Sequence, residues 1–103
     1  MKKTLDEIQL RRLDAFGYKL SEPTVAGLIE ALPKSIKLNP ADEDSLSLTL
    51  TIPVSDSGAT EWLACYSNVC LESDGFIKPE LIDALYHLAI IAKVKNFIPV
   101  TAK

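Results

Sequence analysis

The 103-residue chain has room for one domain with its own core and is too short for a large multidomain enzyme. Apolar residues make up 48% and charged residues 24%, ordinary globular values, and 6 Pro with 4 Gly exclude collagen-like and low-complexity classes. Eleven Lys+Arg against 14 Asp+Glu leave a net charge of −3, the wrong sign for a polyanion binder. The opening Met1-Lys2-Lys3-Thr4 resembles the start of a secretion signal, but Asp6, Glu7, Arg11 and Arg12 interrupt any apolar run after it. Leu81 to Ile98 is the longest apolar-rich stretch. It contains Asp83, His87, Lys93, Lys95 and Asn96, which suit a soluble helix rather than a bilayer span. Two cysteines do not make a secreted disulfide framework, so the cytoplasm is the expected location.

In chain order, Thr4 and Glu7 have capping-box spacing and predict a first helix. Leu5, Ile8, Leu13 and Phe16 form its apolar side, and Gly17 stops it. Ser21-Glu22-Pro23 predicts the cap of a second helix, whose buried stripe is Val25, Leu28, Ile29 and Leu32 and whose end is Pro33. The period then changes to two. Leu46, Leu48, Leu50, Ile52 and Val54 alternate with Ser45, Ser47, Thr49 and Thr51, which predicts a half-buried strand. Ile36 and Leu38 suggest a short strand before it, and Glu61 to Leu71, with Trp62, Tyr66 and Val69, a third strand after it. Glu72 to Lys78 reads as a loop, and Pro79 to about Phe97 as a long helix. The expected fold is α+β in a single domain, 1–103. Two N-terminal helices precede a three-stranded antiparallel meander, and a long C-terminal helix packs on one sheet face.

The candidate chemical motifs are incomplete. Ser73-Asp74-Gly75-Phe76-Ile77 followed by Glu80 resembles the second half of an EF-hand loop, with Gly75 at position 6 and Ile77 at position 8. Glu80 then falls at position 11 instead of 12, and Cys70 would occupy position 1, so the segment reads as a tight turn feeding a helix. Cys65 and Cys70 are five apart, not the two of a zinc knuckle, and a continuous strand would send them to opposite faces as free thiols. A two-residue turn at Ser67-Asn68 would instead set them opposite each other. His87 is the only histidine, four residues after Asp83 on the same helix face. A Cys–His nucleophile pair would lack any glycine-rich oxyanion loop. No metal, cofactor or catalytic residue is expected.

Charge is unevenly spread. Residues 1–37 carry seven basic and five acidic groups, residues 38–92 one basic and nine acidic, and the last eleven residues three lysines. In a meander the first and third connections emerge at one end, which would gather Asp42, Glu43, Asp44, Glu72 and Asp74 into a surface that attracts a basic protein partner or imitates nucleic-acid phosphates. The last helix carries a stripe of Leu81, Ile82, Leu85, Leu88, Ala89 and Ala92, which Ile90, Ile91, Val94, Phe97 and Ile98 extend around it. Such a helix must bury a second side, either under the N-terminal helices or against another chain; in the second case Ile90, Ile91, Val94 and Phe97 are the expected self-association residues of a homodimer.

Two resemblances accompany these readings. GYKLSEPTVAGLIEAL, residues 17–32, is similar to the turn and recognition helix of helix-turn-helix proteins, which implies a winged-helix DNA-binding regulator using residues 22–32. That helix carries Glu22 and Glu30 and no cation, which opposes approach to phosphates. The layout of TVAGLIEALPKSI, a Leu/Thr-rich meander with a Trp, and ELIDALYHLAIIAKVKNFI over residues 24–98 resembles small uncharacterised proteins of phages and mobile elements. The closing helix departs from that pattern, with Ile90-Ile91-Ala92-Lys93-Val94-Lys95 in place of a Trp-Leu pair. This resemblance implies an accessory, non-enzymatic protein-interaction module of phage or prophage type.

Overall fold

In the computed structural model, residues 3–39, 41, 44–52, 61–68, 72–73 and 75–100 are described. The fold is α+β. Helix α1 (Glu7–Ala15) and helix α2 (Val25–Ala31) precede strands β1 (Ser35–Lys37), β2 (Leu46–Thr51), β3 (Trp62–Ser67) and β4 (Phe76–Lys78). Helix α3 (Leu81–Val94) and strand β5 (Ile98–Pro99) follow. The sheet has five strands in the order β4-β3-β2-β1-β5, every neighbouring pair antiparallel. The expected three-strand meander is therefore present but too small. It gains β4 beyond β3, and α3 carries the chain across to the opposite edge, where β5 pairs with β1.

The helix ends explain where the sequence reading moved. Asp6, not Thr4, caps α1: its carboxylate accepts from Gln9 N–H at 2.8 Å while the Gln9 side chain accepts from Asp6 N–H at 3.1 Å. Thr24 caps α2, accepting from Gly27 N–H, so that helix begins after Pro23 instead of at Ser21. Both long helices close in the same way. Gly17 N–H bonds Asp14 C=O and Tyr18 N–H bonds Leu13 C=O, with Gly17 at φ +90. Asn96 N–H bonds Lys93 C=O and Phe97 N–H bonds Ala92 C=O, with Asn96 at φ +55. This paired 6→1 and 5→2 pattern is the Schellman motif, which suits glycine or asparagine in the left-handed position. It stops α3 at Val94. Phe97 and Ile98 therefore lie beyond the helix whose apolar surface they were expected to widen.

One sheet face holds the core. Ile36, Leu46, Leu48, Leu50, Trp62, Ala64 and Tyr66 meet Leu13, Leu28, Leu32, Ile82, Leu85, Leu88 and Ala89 from the three helices. Ile29, expected in the α2 stripe, is exposed, whereas Val25, Leu28 and Leu32 of that stripe turn inward. Tyr66 is tied at its tip, its hydroxyl donating to Pro33 C=O at 2.7 Å.

The strand expected over 61–71 ends at Ser67, where the chain turns back and Ser67 bridges Glu72. Two residues separate Ala64 from Ser67, but three separate Glu72 from Phe76 on the opposing segment, so the β4 side holds one extra residue. Such a bulge tends to orphan a ladder group. Here Ser73 prevents it: its N–H bonds Tyr66 C=O at 2.7 Å, and its hydroxyl oxygen accepts from Tyr66 N–H at 3.0 Å.

Candidate interaction surface

Of the five acidic residues expected to meet a partner, Asp44 and Glu72 are exposed on the surface. Asp42, Glu43 and Asp74 lie outside the described residues. Glu72 bridges Ser67, Ser67 pairs with Ser47, and Ser47 follows Asp44 by three positions. Asp44 and Glu72 thus sit at one end of the sheet. With strands about 4.8 Å apart, Glu72 is about 10 Å across the sheet from Ser47.

The second sheet face can be read from the register, since directly paired residues share a face. Ser35, Ser47 and Ser67 form one row, Thr49 and Cys65 the next, and Thr51, Leu63 and Ile77 the third. Thr49 Oγ1 and Ser67 Oγ share a hydrogen bond of 2.7 Å, and the Thr49 hydroxyl also donates to Ser47 C=O at 3.0 Å. No helix packs on this face among the described residues; α3 lies on the core face, with α1 and α2 against it. Ile77 is 50% exposed here, and Ile52, just past β2, is 54% exposed.

Cys65 is buried on this face all the same. Its thiol donates to Glu72 Oε1 at 3.7 Å, and β4 passes close above it: a Cβ at Gly75 would stand 2.7 Å from both Cys65 Cβ and Ala64 O. Burial pushes the thiol pKa up, and the charge of Glu72 and its hydrogen bond push it further. A thiol held protonated in this way is a poor nucleophile. Cys70 lies outside the described residues.

The conceivable Cys–His pair does not form. Phe76 pairs with Ala64 on the core face and stacks against His87 at 5.2 Å, whereas Cys65 points to the other face. The sheet separates the two side chains. Burial lowers the His87 pKa, Lys78 lowers it further, Asp83 opposes, and Arg12 again lowers it. The segment that resembled half an EF-hand serves the ladder, through Ser73 and Gly75, and leads into an edge strand instead of a helix. Among the described residues no group of three or more His, Cys, Asp or Glu could hold a metal ion. No helix there is long and apolar enough to cross a membrane.

Sequence reasoning missed a groove of about 660 Å³, because the ends of all three helices build it. Tyr18, Leu32, Pro33, Ala92 and Phe97 line it, with Lys19, Glu30 and Lys93 as its charged groups. The Lys93 ammonium lies 5.0 Å from the Tyr18 ring centre, and the Tyr18 hydroxyl donates to Ala89 C=O at 2.8 Å. Burial raises that phenol to about 12. The positions expected to self-associate are divided. Val94 is 57% exposed, Ile90 and Ile91 are half-buried against the core, and Phe97 meets Tyr66 edge-on at 6.1 Å. On α2 the exposed side chains are Ala26, Ile29 and Glu30, with no cation among them.

Comparison with protein-family models, with curated proteins and with solved structures found no match to this chain.

Proposed function

We propose that this domain works by binding a protein partner, using the outer sheet face and its acidic end to receive a basic surface. The observation that supports it most is the asymmetry of the sheet. Three helices take one face, while the other presents Ser35, Ser47, Thr49 and Thr51 beside the exposed Ile77, with Glu72 and Asp44 at its end. Apolar contacts beside a charged rim are the usual composition of a binding surface. Asp42, Glu43 and Asp74 are the remaining contacts in this reading, which fits the accessory role implied by the phage-type resemblance.

The test is capture from a lysate with the wild-type chain and with the double variant Asp44→Lys, Glu72→Lys. A partner held by the wild type and lost by the variant, more completely at low salt, supports the reading. Equal capture by both overturns it. The alternative, a winged-helix regulator reading DNA with residues 22–32, requires duplex binding that weakens steeply with salt. Recovery of the chain alone would move attention to self-association, with Val94 as the exposed position of the expected set.

A further inference from the structure

The groove where the three helices end shares no residue with the outer-face set proposed for partner binding. It is walled by residues 17–19 after α1, residues 31–33 at the end of α2, and Ala92, Lys93 and Phe97 at the close of α3. Each wall is tied down. The Tyr18 hydroxyl donates to Ala89 C=O at 2.8 Å, and Pro33 C=O accepts the Tyr66 hydroxyl at 2.7 Å. The Phe97 ring meets Tyr66 edge-on at 6.1 Å. At about 660 Å³ the groove falls within the size range of small-ligand sites, about 300–1,000 Å³. Walls already in place cost a ligand little ordering.

The same bonds limit what could bind. The Tyr18 hydroxyl, the only one on the lining, is engaged by Ala89, and the Ala92 and Lys93 carbonyls accept Phe97 and Asn96 N–H. Leu32, Pro33, Phe97 and Ile98 leave the interior apolar. Charge comes from three side chains. Glu30, the lone carboxylate of the lining, accepts from the Ser21 hydroxyl at 3.0 Å and pairs with neither lysine. Lys19 and Lys93 have no ion-pair partner among the described residues. The Lys93 ammonium lies 5.0 Å from the Tyr18 ring centre, and Lys19 is the next residue after that tyrosine. A cation in the last turn of α3 suits the helix dipole, but Lys19 stands four residues beyond α1 and has no such role.

An apolar interior beside two unpaired ammonium groups complements a molecule with a hydrocarbon body and one negative end. We propose that this groove binds a monocarboxylate with an aliphatic chain. The chain lies along Leu32, Pro33 and Phe97, and the carboxylate meets Lys19 and Lys93.

Titration with octanoate, kept well below its micelle concentration and followed by amide chemical shifts, tests this. Saturable shifts are expected at Gly17, Lys19, Leu32 and Phe97, with none at Thr49 or Ile77 on the outer face. Butanoate, with the same carboxylate and a shorter chain, should bind at least tenfold more weakly. Octanol and octyltrimethylammonium, which keep the chain and lack the carboxylate, should also bind about tenfold more weakly. The double variant Lys19→Gln, Lys93→Gln changes two exposed positions. It should weaken octanoate about tenfold and leave octanol unchanged, which separates lost charge from a damaged groove. No saturable shift, shifts that spread to the outer face, equal binding of octanol and octanoate, or an undiminished affinity in the variant would each overturn the proposal. So would a preference for octyltrimethylammonium, which would mean that Glu30 and the helix ends set the charge of the site.

Discussion

Cys65 and Tyr66 are adjacent on β3 and equally hidden from water, yet the two sides of the sheet bury them by different means. Tyr66 points into the core, where Phe97 meets it edge-on and Pro33 accepts its hydroxyl, so large apolar groups from elsewhere in the chain surround it. Cys65 points to a face that no described helix covers, and it is hidden by the approach of the neighbouring strand at Gly75 and by Glu72. Burial from the core side reflects the whole fold. Burial on the outer side is local and depends on one missing Cβ.

The largest effect should come from Tyr66→Ala, which empties a core site and removes the link to Pro33. A loss of about 3–5 kcal/mol in chemical denaturation is expected. Gly75→Ala should cost less, about 1–3 kcal/mol, because the added methyl meets the Ala64 carbonyl and Cys65 and only β4 needs to shift. Its mark would be local, with faster amide exchange in β3 and β4 and little change at α2. If Gly75→Ala destabilises as much as Tyr66→Ala, burial on the outer side is not local. The smallest effect is on reactivity. In a Cys70→Ser background, Cys65 should alkylate slowly near pH 8, and Glu72→Gln should speed it several-fold by removing a charge that holds the thiol protonated. An unchanged rate would mean that Glu72 does not act on the thiol.

The same contrast marks what the sequence allows to be read. β2 is legible because a six-residue strand with one buried face imposes an alternation of Leu with Ser and Thr, and the start of β3 because Trp62 and Tyr66 favour a pleated surface. β4 and β5, of three and two residues, are too short to alternate, and each carries residues that signal loops: Gly75 and Pro79 on either side of one, Asn96 shortly before and Pro99 within the other. The tail of α3 misled for a related reason. Phe97 and Ile98 continue the apolar period of the helix, and only the left-handed Asn96 shows that the backbone has already turned. For the candidate surface, the register brings Asp44 and Glu72 to the expected end. The apolar part of that face, Leu63 with Ile77, depended on a strand that the alternation did not show. The groove could not be read at all, because its lining comes from segments far apart in sequence.

The serine at the bulge has a consequence for how this hairpin finds its alignment. A carbonyl can accept a ladder bond at any offset, since every residue has one, but a hydroxyl oxygen in that role exists only at Ser73. Sliding the returning strand by one residue in either direction would offer Glu72 or Asp74 to the Tyr66 N–H, and a carboxylate would have to be buried where the serine now sits. The side chain acts as a key cut for one offset, and it makes this hairpin's alignment a property of a single residue instead of an average over many.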